Sequence, residues 1–216
     1  MTTFPNSPKV LKCGIVLIDP DNATMLRIIT LQYNPETLSR SLQPQAVKES
    51  GDRSEVTRLT GPPVETIKFD AEIDAIDQLE FPDQNPAAVQ VGIQPQLSAL
   101  ETMVYPNSNQ LLSNNRMADQ GMLEILPMIA PLPLFVWSKK RVVPVRITDF
   151  SITEEAFDTS LNPIRAKVSI GMRVLSVTDL GFNKSGNLFM TYQQNKEQMA
   201  NMVHGALSLM GIGAIS

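Results

Sequence analysis

Apolar and polar residues alternate with period two in two long stretches, the pattern of strands with one dry and one wet face. In residues 64–75, Ile67, Phe69, Ala71, Ile73 and Ala75 share one side, and Thr66, Lys68, Asp70, Glu72 and Asp74 the other. In residues 164–174, Ile164, Ala166, Val168, Ile170, Met172 and Val174 face one way, and Arg165, Lys167 and Arg173 the other. Residues 132–138, LPLFVWS, are a continuous apolar run, which predicts a strand covered on both faces with Trp137 buried. Residues 142–157 read as a long strand whose internal proline predicts an edge or a bulge. Two apolar runs, 11–18 and 25–33, flank Asp19, Pro20, Asp21 and Asn22 and predict a hairpin.

Asn34 followed by Pro35 ends the second strand of that hairpin. Residues 34–63 are the least regular part and predict a long loop. Within it, 46–60 carries Lys48, Glu49, Asp52, Arg53, Glu55 and Arg58 with little apolar content, so it is expected to order only against a neighbour. Leu97, Leu100 and Val104 at helical spacing after Pro95 predict a short helix over 95–104, and 107–130 is mixed, with SNQLLSNNRMADQG at 108–121 resembling a loop. The period changes near the end, where Tyr192, Met199, Val203, Leu207 and Met210 form one helical stripe. The stripe's cover is either the chain's own sheet or a neighbouring subunit or partner, and because the alternating strands commit their dry faces to the core, the partner is the favoured cover. The fold is therefore expected to be mainly β, as two packed antiparallel sheets or a closed barrel, with one short helix and a C-terminal helix. Residues 1–180 read as the β domain and 181–216 as a helical extension.

Composition narrows the function. The 216 residues are 43% hydrophobic and 19% charged, a globular balance, and a net charge of −4 gives no general pull towards nucleic acid or anionic lipid. Cys13 lies in an apolar run and reads as a small core residue, and the one histidine, His204, lies in another kind of segment. No phosphate-binding glycine loop, nucleophile elbow, paired-cysteine or zinc-protease motif occurs. Asp70, Glu72, Asp74 and Asp77 are lined up along a strand rather than converging, which reads as a solvated or subunit-facing surface instead of a metal site. Glu154 and Glu155 are strand neighbours and point to opposite faces. The expectation is no enzyme, no metal and no cofactor. The start lacks the pattern of a secretory leader, and the apolar residues 202–216 are too few and too glycine-rich for a membrane span.

Five stretches in order carry a resemblance: LQYNPETLSRSLQPQ at 31–45, TGPPVETIKFDAEIDAID at 60–77, IQPQLSALETMVYP at 93–106, LPLFVWSKKRVVPVRITDFSITEEAFD at 132–158 and NPIRAKVSIGMRVLS at 162–176. Together they resemble the tube-fold N-terminal domain of the tube-adaptor, or tube-initiator, proteins of phage-tail-like contractile injection systems. The resemblance covers roughly residues 11–180. It implies a hexameric ring between the inner tube and the central spike, with inner-tube and spike or baseplate proteins as partners. It also implies cytoplasmic assembly of a particle that is released from, or anchored in, the producing cell. Members of that family often continue into a LysM module, and none is expected here. Asn34 and Pro35 would form a rigid corner at a subunit contact. Arg53 and Arg58 would lie in the charged loop, and Arg165 on the wet face, free to pair with a neighbour. Met199 and Val203 would lie on the helical stripe. The rival readings are another tube or baseplate subunit and a ligand-binding β-sandwich, for which one Trp and three Tyr are meagre equipment.

Overall fold

A computed structural model describes residues 10–20, 22–46, 58–119, 121, 130–203, 205 and 207–210. The described strands are β1 (Gly14–Ile18), β2 (Met25–Thr30), β3 (Ser39–Ala46), β4 (Leu59–Asp74), β5 (Leu132–Ser138), β6 (Arg141–Phe157) and β7 (Pro163–Val174). All neighbours are antiparallel, in the order β2-β1-β5-β6-β7-β4-β3. The expected hairpin is β1–β2, and the two alternating stretches are β4 and β7, paired from Thr66 opposite Arg173 to Asp74 opposite Arg165.

The sheet is mainly one structure in two halves. The start of β6 pairs with β5, and from Val145 onward β6 pairs with β7. Pro144 sits at this changeover, where its carbonyl still accepts from Leu175 N at 2.9 Å, so the proline marks a handover inside a central strand rather than an edge. The halves fold over one another. β4 and β5 are separated by β7 and β6, a distance of about 14 Å across a flat sheet. Yet the Phe69 and Phe135 rings stack with centroids 5.4 Å apart. Their inner faces make one core, holding Ile15, Leu17, Ile29, Ile67, Phe69, Phe135, Val143, Val168, Ile170 and Met172. The fold is thus two packed antiparallel halves, and it is not a closed barrel, because β2 and β3 end the order as edges.

Two elements are absent from the pattern of the sequence. β3 occupies what reads as loop. None of its residues is buried, so no dry face marks it. The helix α4 (Ser108–Asp119) likewise has no buried residue and no apolar stripe to announce it. Between β4 and the expected short helix lie α1 (Ile76–Leu79) and α2 (Pro86–Val91). The expected helix itself is α3 (Gln94–Glu101), which buries Leu97 and Leu100. Gly92, with φ +59°, makes the turn into it, and a Cβ there would collide with the carbonyl of Pro163. Trp137 is half-buried rather than buried, tilted against Phe135 at 5.9 Å, because the run 132–138 leaves the core at its end.

The C-terminal helix buries only the first part of the stripe's face. After the capped turn α5 (Val177–Leu180), Asn183 caps α6 (Lys184–Ala200). α6 buries Phe189 and Tyr192 in the main core. It ends at Ala200, and Met199 and Val203 remain exposed. The chain's own sheet therefore covers the first half of this helix, Tyr192 of the stripe included, and leaves Met199 and Val203 uncovered. No helix of the described residues is long and apolar enough to cross a membrane.

Candidate assembly surfaces

The corner at Asn34 is built by side chains that imitate a strand ladder. The Asn34 amide accepts from Cys13 N at 2.9 Å and donates to Leu11 O at 2.8 Å, which ties the corner to the approach to β1. Two residues earlier, Gln32 accepts from Asp74 N at 3.0 Å and donates to Asp74 O at 2.7 Å, fastening the corner to the end of β4. Pro35, half-buried, holds the turn between these clamps. Asn34 and Pro35 thus have a structural duty inside the chain. Cys13 is buried, and desolvation pushes its thiol up from the ordinary value.

The outer face of β4, β7 and β6 is a ladder of opposite charges. Arg165 donates to Asp74 at 2.8 Å, Lys167 lies 3.2 Å from Asp70, and Lys68 lies 3.4 Å from Asp149. Ser169 also donates to Asp70 at 2.6 Å, and with Lys167 it holds the Asp70 carboxyl below its ordinary range. Arg165 therefore has its carboxylate within the chain. The pairs lie at the surface, where water and salt screen them, so the ladder sets register more than stability. Among the described residues no group of three His, Cys, Asp or Glu is placed to hold a metal ion.

The two sheet edges are unlike. β2 leaves Met25, Leu26 and Ile28 at 62%, 55% and 60% exposure, with Arg27 its one charge. Arg27 reaches across to donate to Thr102 Oγ1 at 2.9 Å, just past α3. An apolar groove runs beside this edge, lined by Ile28–Gln32 on one side and Pro95, Gln96, Ala99 and Leu100 on the other. β3, at the opposite end, carries Ser39, Ser41, Gln43 and Gln45 on one face and Arg40, Leu42, Pro44 and Ala46 on the other, and Arg58 is exposed just before the strand that pairs with it. Arg53 lies outside the described residues. Met199, near the end of α6, and Val203, past it, are both exposed.

One residue near these surfaces was not legible as special. Glu65 is 3% exposed, on the same side of β4 as Ile67 and Phe69, a carboxylate where the pattern calls for an apolar side chain. Arg40 of β3 donates to it through Nε at 2.8 Å, Lys196 at 2.9 Å and Tyr192 Oη at 2.9 Å. Burial pushes this carboxyl up, but Lys196, Arg40 and Tyr192 outweigh it and hold it below the ordinary value. Burial, and the neighbouring Glu65 charge, push the Tyr192 hydroxyl well above its usual range. The phase of Glu65 within the alternation, with Tyr192 and Lys196 four apart, is the signal that could have found it.

No protein-family model matches the chain, and no curated protein matches it. Among solved structures it is similar to a chain from the tail of an empty GTA particle with C6 symmetry. That likeness has 10% identity and a TM-score of 0.30, over 76% of this chain and 90% of the other. It is also similar to a chain from the virion of a native gene transfer agent particle, at 9% identity and a TM-score of 0.27, over 75% and 90%. At those scores the likeness carries no argument about fold or function.

Proposed function

We propose that the chain is a non-catalytic structural subunit that joins copies of itself into a ring within a phage-tail-like particle. Its place there would be the adaptor between inner tube and spike. The observation that carries the ring is the pair of edges, β2 and β3, that no further strand among the described residues pairs with. An antiparallel sheet satisfies every strand except its two ends, and an unpaired strand is a template for another chain. Soluble monomers usually blunt such edges with charge, yet β2 exposes Met25, Leu26 and Ile28. Pairing β2 of one copy with β3 of the next is a head-to-tail contact, and such contacts close into rings when the rotation allows. The ring number of six, the tube and spike neighbours and the adaptor position follow from the resemblance of residues 11–180 to tube-adaptor proteins. The charge ladder on β4, β7 and β6 would then face outward from the shared core and register the subunit against its neighbours.

Negative-stain imaging of the purified protein tests this. Closed rings with six-fold class averages are expected, and Ile28→Lys should abolish them while leaving the far-UV circular dichroism unchanged. A protein that stays monomeric at every concentration, or rings indifferent to Ile28→Lys, would overturn the proposal.

A further inference from the structure

β3 has no buried side chain, so its attachment is unusual for a strand beside a large core. Its backbone pairs with β4 from Ser39 opposite Lys68 to Ala46 opposite Leu59, with register shifts past Gln43. Arg40 is where β3 reaches inward, and what it reaches is Glu65. The same carboxylate receives Tyr192 and Lys196, both from α6, and Arg40 donates a further bond to Tyr192 Oη at 3.0 Å. Lys196 also sits over the Tyr192 ring at 4.0 Å. An edge strand and the C-terminal helix, distant in sequence, are thus fastened by one buried group.

We infer that Glu65 is a coupling post through which docking of α6 holds the β3 edge in place. When α6 lifts, Glu65 loses Tyr192 and Lys196, and Arg40 loses Tyr192. The half-buried Arg40–Glu65 pair is then opened to water, where such pairs hold little. Nothing else in β3 enters the core, so the strand frays while β4 stays paired to β7. This deepens the proposed function, because β3 is one of the two edges assigned to the ring contact. A helix that controls an edge gives the ring contact a switch.

Hydrogen exchange on the full chain reads this without any ring. Lys196→Met and Tyr192→Phe each remove one α6 group from Glu65. Met199→Ser alters an exposed α6 residue and serves as control. The expected result is exchange in residues 39–46 that is about tenfold faster or more in both variants, with β1 and β5 unchanged. Met199→Ser should leave residues 39–46 at the wild-type rate, and Lys196→Arg should restore them. Faster exchange confined to α6, or an equal rise in β1 and β5, would overturn the inference. Absence of rings under the microscope would refute the ring proposal alone and leave this exchange pattern as decisive as before.

Discussion

The fold-over of the sheet makes a quantitative demand on Phe69 and Phe135. The two rings stack at 5.4 Å with planes 21° apart, and Phe135 has no exposure. Truncating either to alanine should cost about 3–5 kcal/mol, a large share of a typical stability of about 5–15 kcal/mol. Leucine is the better probe, because it keeps more of the volume than alanine and leaves a smaller cavity. What leucine removes is the ring-to-ring contact, worth about 0.5–1.5 kcal/mol beyond area. Urea unfolding followed by far-UV circular dichroism on Phe69→Leu, Phe135→Leu and the double variant closes a thermodynamic cycle. The singles should sum to more than the double by that amount, since the second loss finds no partner left to lose. Distant sites add within about 0.3–0.5 kcal/mol. Additivity within that margin would mean that β4 and β5 do not face one another, and the two-half reading of the sheet would fail.

Two further outcomes follow from the Glu65 post and from α6. The Glu65 carboxyl is held below its ordinary value of 4.5, so its contribution is fully present above that pH and is lost as pH falls below it through the lowered native value. Glu65→Gln should lower stability at neutral pH by about 3 kcal/mol, the lower end for a broken buried pair since Arg40 and Lys196 keep some water. It should also flatten the fall of Tm below pH 4.5 without abolishing it, because Asp70 and Asp179 are lowered too. Parallel wild-type and variant curves would contradict this. A chain ended at 203 keeps Phe189 and Tyr192 and should melt within a few degrees of wild type, whereas one ended at 186 loses both and should show no cooperative calorimetric transition.

How much of the fold could be read from the sequence depended on whether an element buries one face. β4 and β7 bury every second residue, so their period survives in the sequence and their register is unambiguous. β1 and β2 were legible through the turn formers between them. β3 and α4 bury nothing, and an element that buries nothing leaves no period to detect. The proline in β6 misled because the rule against central prolines assumes an uninterrupted ladder on each side. A strand that changes partners has one position where that assumption lapses, and Pro144 occupies it.

The candidate surfaces follow the same logic one level up. Asn34 was expected in a rigid corner at a subunit contact and Arg165 on a wet face free to pair with a neighbour, and both are exposed, yet each is engaged inside the chain, by Cys13 and Leu11 for Asn34 and by Asp74 for Arg165. Sequence can say that a side chain leaves the core, but not whether a partner three strands or ninety residues away meets it. Glu65 is the converse. Its position says that it enters the core, and a buried carboxylate without cations would not be tolerated. Partners were therefore required by physics before any were visible. The apolar stripe of the C-terminal helix obeys that reasoning only in part. Tyr192 lies on it and is buried because it reaches Glu65, while Met199 and Val203 lie on it and stay in solvent. A stripe marks residues that can be covered. Which of them are covered within the chain is decided by where the sheet ends, and past Tyr192 that leaves an apolar end to α6 beside the post that holds the β3 edge.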